Sequence, residues 1–173
     1  MYLLTVPSLV LSSGVRDMVQ TPERQLAGFI AKFTPEMAKV IRATRAKMRK
    51  RLPRALELVY DNFNFFVIGY GPTDKAGDAI FSLAAQSKSL SLCFLQGAGL
   101  LDPHGILQGS GKVVRTIRLE NAAVLDRPEV RALMDEAMDR AQTPISAGSR
   151  HKLIIKSIST QQRPRKAVAV KKK

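Results

Sequence analysis

The residues whose types and spacing could do chemistry concentrate between positions 92 and 119, which read LCFLQGAGLLDPHGILQGSGKVVRTIRL. Asp102 and His104 stand two apart in a Pro-containing turn, a pairing in which a carboxylate could orient an imidazole for proton transfer. Gly109 and Gly111 flank Ser110 immediately before Lys112, and Arg115 follows. Glycines let backbone amides converge on an anion, a lysine beside them adds charge, and an arginine adds a two-pronged fork. Two chemistries are therefore open: proton transfer and anion binding.

Proton transfer lacks its partners. No nucleophile accompanies Asp102 and His104, and Cys93 lies mid-strand between Leu92 and Phe94, where a thiol acts as apolar filler. The chain has two histidines, and the second, His151, is remote. Neither a triad nor a His-rich metal site is supported, and no cofactor is implied. Nucleotide motifs fail on inspection. A phosphate loop ending at Gly111-Lys112 needs Gly where Ile106 stands and Ser or Thr where Val113 stands. A dinucleotide fingerprint starting at Gly97 needs a third Gly where Asp102 stands. The element after the loop also has strand character, so no helix dipole faces a phosphate. The residues support anion binding at Gly109, Gly111, Lys112 and Arg115, bordered by Asp102 and His104.

The elements that must position these residues follow from periodicity. Residues 112–119 alternate, placing Val113, Arg115, Ile117 and Leu119 on one face, which should be the covered one. A guanidinium there needs an anion, since an unpaired buried charge is costly. The partner is either a sheet carboxylate such as Asp61 or Asp78, or a ligand's carboxylate or phosphate. Upstream, Thr21-Pro22-Glu23 and Thr34-Pro35-Glu36 each carry a cap, a first-turn proline and a first-turn acid, the signature of a helix start. The first helix then buries Leu26, Phe29, Ile30 and Phe33. The second carries Met37, Val40, Ile41, Thr44, Met48 and Leu52 on a narrow stripe, and Pro53 ends it. Strands are predicted at 56–61, 63–70, 79–86, 89–95 and 112–119, linked by short turns that favour antiparallel pairing. A last helix is predicted from Asp126-Arg127-Pro128-Glu129, with Asp126 as its cap.

Charge is unevenly spread. The formal net charge is +14 in 173 residues. Residues 143–173 contribute nine Lys or Arg and no acid, and residues 39–54 contribute eight and no acid. The remainder has 11 basic against 14 acidic residues. The C-terminal stretch reads as a disordered basic tail, and Arg163, Arg165, Lys166, Lys171, Lys172 and Lys173 are its candidate contacts to nucleic-acid phosphates. With 6% aromatic residues and no Trp, stacking surfaces are sparsely supplied. One cysteine excludes an intrachain disulfide and points to a reducing, cytoplasmic compartment. No apolar run approaches the ~20 residues of a membrane span, and the opening lacks the basic start and cleavage site of a secretory signal.

At several places the order of residues resembles the YdhG-like domain family. Asp61-Asn62-Phe63-Asn64, residues 67–73 (VIGYGPT) and residues 92–98 (LCFLQGA) are similar. So are Leu101-Asp102-Pro103-His104, residues 107–112 (LQGSGK) with Arg115 and Leu119, and residues 126–130 (DRPEV). The resemblance spans about residues 26–141. It implies a frataxin-like α+β domain, and some members are described as iron chaperones that rely on acidic surface residues. The second helix here is strongly basic instead, and no metal ligands are carried over.

The expectation is an α+β fold, a five-stranded antiparallel sheet with helices packed on one face. Residues 1–20 form an N-terminal extension, 21–142 the domain and 143–173 the basic tail. The expected function is a non-enzymatic intracellular binding module with its anion pocket at the glycine-rich loop. The alternatives are frataxin-like iron delivery and nucleic-acid association through the tail.

Overall fold

The two Thr-Pro-Glu triplets start helices α1 (Pro22–Ala31) and α2 (Pro35–Arg51). In the computed structural model, which describes residues 20–148 and 150–166, the Thr21 hydroxyl accepts from the Arg24 amide and the Thr34 hydroxyl from the Met37 amide, both at 3.3 Å. Each bond satisfies an amide that has no partner inside the helix. Leu26, Phe29, Ile30 and Phe33 are buried as their spacing predicts, and α2 buries Ala38, Ile41, Thr44, Met48 and the following Leu52. The predicted extension at residues 1–20 lies outside the described residues apart from Gln20.

The sheet has six strands: β1 (Leu56–Asp61), β2 (Phe66–Gly71), β3 (Phe81–Gln86), β4 (Ser89–Phe94), β5 (Arg115–Arg118) and β6 (Leu153–Ile158). Their spatial order is β5-β4-β3-β2-β1-β6. The first five pair antiparallel, as expected. Helix α3 (Pro128–Asp139) precedes β6, which runs parallel to β1 on the far edge. The register sets Glu57, Val59 and Asp61 of β1 beside Tyr70, Ile68 and Phe66 of β2, and these beside Phe81, Leu83 and Ala85 of β3. That face meets the apolar sides of the helices and carries the core. Phe33 packs edge-on against Phe66 with ring centroids 6.0 Å apart.

Three expectations need correction. The segment expected to be a disordered tail supplies β6, because Leu153 and Ile155 find the free edge of β1 and its apolar face. The fold is therefore a mixed six-stranded sheet, not a purely antiparallel five-stranded one. The second and fifth predicted strands also start later. Phe63 and Phe65 stay exposed in the turn before β2, and residues 112–114 remain in the loop before β5. Finally, Asp126 does not cap α3. It ends a 3-10 turn (Ala122–Asp126) and pairs with Lys47 of α2.

Two buried carboxylates on β1 fasten β6 in place. Glu57 is fully buried and receives Arg45 of α2 through Nε at 2.9 Å and Nη2 at 2.6 Å, with His151 Nε2 3.2 Å from Oε2. Asp61 is fully buried between Lys32 Nζ at 2.5 Å and Arg165 Nη2 at 3.2 Å. After β6 the chain wraps the β1–β2 turn. The Ser159 amide donates to the Asp61 carbonyl, the Arg163 amide to the Phe63 carbonyl, and Arg165 Nη1 to the Asn64 carbonyl, each at 2.9 Å.

Removing one partner of a buried ion pair costs about 3–5 kcal/mol, because the other charge is left in the interior. Asp61→Ala strands both Lys32 and Arg165 and is expected to lower Tm by roughly 6–20 °C in thermal denaturation. Truncation after residue 148 removes β6 with His151 and Arg165 and is expected to lower it at least as far. A truncated protein that melts with the full chain would show the segment to be dispensable.

Candidate functional site

The loop between β4 and β5 is built by its own backbone. A 3-10 turn (Gly97–Gly99) follows β4, and the Ala98 amide donates to the Val113 carbonyl at 2.8 Å. Gln108 and Thr116 exchange a pair of 2.8 Å amide–carbonyl bonds, which folds the loop back on β5. Two glycines are required here. A side chain at Gly97 would come within 2.7 Å of the Arg115 Cβ, and Gly109 sits at φ 114°, where an L side chain is strained.

Asp102 does its work inside the loop. Its carboxylate accepts the Ile106 amide at 3.1 Å and the Leu107 amide at 2.8 Å, the bonding of a side-chain-closed turn. His104 is exposed and makes no hydrogen bond or ion pair among the described residues, so the two do not form a proton-transfer pair. His104 and Asp102 border a shallow hollow against Pro128 and Glu129 of α3.

Arg115 lies on the covered face, as alternation predicts, opposite Phe94 and in line with buried Ile117 and Leu119. Its partner is neither of the two carboxylates considered from the sequence. Asp61 is held by Lys32 and Arg165, and Asp78 accepts the Thr73 hydroxyl at 2.6 Å. Instead Arg115 Nη1 donates to the Gly111 carbonyl at 2.5 Å and the Val114 carbonyl at 2.8 Å. A guanidinium satisfied by two carbonyls of its own loop is a clasp. It fixes the turn that carries Gly111 and Lys112.

Lys112, carried on that turn, lines a cavity of about 370 Å³ beneath the loop, between the start of β3 and the end of α3. Arg140 lines the same cavity, bonded to the Gly99 carbonyl and to Glu136 at 2.9 Å. Asp78, Gln96 and Thr143 supply further polar groups, and Ile80, Leu100, Val113 and Ala137 supply apolar wall. Lys112 has no ion pair among the described residues. The structure thus brings Lys112 together with Arg140, leaves Gly109, Gly111 and Arg115 as the frame of the loop, and sets His104 apart. Sequence reading missed Arg140, whose only signal is its place at the C-terminal end of α3.

The tail cations separate in the same way. Arg165 is 4% exposed and committed to Asp61, so it is not a phosphate contact. Arg163 and Lys166 are exposed, and Lys171, Lys172 and Lys173 lie outside the described residues. No helix among the described residues is long and apolar enough to cross a membrane. Cys93 is half-buried, and burial pushes its thiol up from the ordinary value while a hydrogen bond with Ser82 opposes the shift. No protein-family model, curated protein or solved structure matches the chain.

Two measurements check these assignments. Asp102→Ala leaves two amides without their acceptor and is expected to cost about 1–3 kcal/mol in urea denaturation. His104→Ala should stay within about 0.5 kcal/mol of the wild type, and a larger loss would place the imidazole in the turn's bonding. Below its raised pKa the Cys93 thiol holds less thiolate than a free cysteine. Iodoacetamide should therefore modify it more slowly than free cysteine at pH 8, and an equal rate would contradict the burial.

Proposed function

We propose that this domain is a non-enzymatic binding module that takes a small organic anion in the cleft beneath the β4–β5 loop. The observation that carries the reading is Lys112, an ammonium without a counter-ion among the described residues, on the wall of a cleft of about 370 Å³. A cleft with one free cation, a second from Arg140 and an apolar wall suits a carboxylate or phosphate attached to a carbon skeleton. Asp78 on the same wall favours ligands that also present a hydrogen-bond donor. Arg115 serves this site by holding the turn in place.

The proposal sets the module in a reducing interior, which suits a lone Cys93. The YdhG-like and frataxin-like resemblance of the sequence accords with a small α+β binding domain. Iron delivery, described for some members of that family, is not the proposed role. Among the described residues no group of three or more His, Cys, Asp or Glu side chains is placed to hold a metal ion.

A thermal-shift screen with phosphorylated and carboxylate metabolites tests the proposal. A ligand at one hundred times its Kd adds about 2.7 kcal/mol to the folded state, which the screen detects as several degrees. Lys112→Ala should abolish the shift, and Arg140→Ala should reduce it. If the best ligand shifts the Lys112→Ala protein as far as the wild type, the cleft is not the site.

A further inference from the structure

At the opposite end of the sheet, the β1–β2 turn, the β3–β4 hairpin and the strap after β6 enclose a second concavity of about 490 Å³. Its lining includes Lys88 from the hairpin and Arg163 and Lys166 from the strap, with Asn64, Ser87 and Ser89 offering amide and hydroxyl groups. Among the described residues no carboxylate lines it. Lys88, Arg163 and Lys166 are exposed and have no ion pair among the described residues. Arg165 also borders the hollow, but its charge is shared with Lys32 on the single carboxylate of Asp61. Two cations on one buried anion leave the floor positive as well.

The same turn presents two aromatic rings. Phe63 is 45% exposed and Phe65 42%, and they flank Asn64, which lines the hollow. The Arg163 guanidinium lies 5.6 Å from the centroid of the Phe63 ring. Both phenylalanines are side chains that folding ordinarily buries, so their exposure on the turn beside a cluster of cations without carboxylate partners needs a reason. Phosphates recognised by free Lys and Arg, next to rings on which bases stack, are the two components of single-strand recognition. A purely anionic partner would use the cations and leave the rings idle. A purely apolar partner would leave the cations unpaired.

We propose that this concavity, with Phe63 and Phe65 at its edge, binds single-stranded nucleic acid. Lys88, Arg163 and Lys166 hold consecutive phosphates, and the two rings stack bases. Arg165 is a positioning residue that fixes the turn and the strap against Asp61. The site is separate from the Lys112 cleft, so either can fail without the other.

The test is fluorescence anisotropy of the full chain with a labelled oligothymidylate of about 20 nucleotides, against a duplex of the same length. The single strand should bind more tightly than the duplex. Three phosphate contacts predict an affinity loss of about twentyfold or more between roughly 50 and 200 mM salt. Phe63→Ala with Phe65→Ala should weaken single-strand binding by roughly tenfold or more while leaving heparin binding unchanged. Lys88→Ala with Arg163→Ala should weaken both. These side chains are exposed, and Asp61 with Arg165 stays intact, so an unchanged Tm reports an intact fold. The proposal is overturned if the oligonucleotide does not bind at low salt. It is equally overturned if the phenylalanine variant binds it like the wild type, or if Lys39→Ala with Arg42→Ala on α2 removes binding instead.

Discussion

The fold depends on two carboxylates, four residues apart, on the helix-facing side of β1. Glu57 and Asp61 are fully buried, in positions where an apolar side chain is the default. Each is met by one cation from a helix and one basic residue from the chain's C-terminal segment: Arg45 and His151 for Glu57, Lys32 and Arg165 for Asp61. The same two residues thereby tie α1 and α2 to the sheet and close β6 against its edge. Buried pairs of this kind add little net stability over an apolar core, but they penalise every arrangement in which one member is left alone. They select the register and the edge on which the last strand docks.

This bonding also accounts for much of the charge concentrated in α2. Residues 39–54, the helix and its exit, hold no acid, yet four of their eight cations find carboxylates on other elements. Arg45 joins Glu23 and Glu57, Arg49 approaches Glu23, Lys47 meets Asp126, and Arg51 meets Asp135 of α3. Burial opposes the charge on Arg45, but its hydrogen bonds to the two glutamates outweigh that and hold its pKa above the ordinary arginine value. Its hydrogen bonding in turn holds the Glu23 carboxyl below the ordinary value. The helix is basic because it is the hub onto which acids from α1, β1 and α3 converge. Lys39, Arg42, Lys50 and Arg54 are the part of that charge left for solvent.

The Lys112 cleft and the hollow at the β1–β2 turn sit at opposite ends of the sheet and have different characters. The cleft under the β4–β5 loop combines a few charges with an apolar wall. The hollow at the β1–β2 turn is polar and, among the described residues, has no carboxylate in its lining. One arginine stands behind each of them without serving as its ligand. Arg115 closes the loop that carries Lys112, and Arg165 anchors the strap that carries Arg163 and Lys166. In both places a guanidinium that donates to backbone carbonyls stiffens a loop, leaving a neighbouring lysine or arginine free to meet a ligand.

Local chemistry decided a good deal of this in advance. Thr-Pro-Glu triplets mark the helix starts because capping involves residues three positions apart. Alternation marks β1 and the inward face of Arg115 because a strand's period is a property of its own backbone. The limits of that reading are equally physical. Leu153, Ile154 and Ile155 are too brief an apolar run to announce a strand among lysines and serines, and only the open edge of β1 makes them one. Asp61 and Arg165 are 104 positions apart, and nothing in the sequence near either residue names the other. Whether Arg115 meets a carboxylate, a ligand or its own loop depended on where Asp61 and Asp78 were already engaged. Sequence determined the starts and caps of α1 and α2 and the periodicity of the first five strands, since these rest on contacts within a few residues. Tertiary structure alone decided the partners of the buried charges, the docking of β6, and which cations stay free to bind, since each depends on groups that meet only when the chain closes on itself.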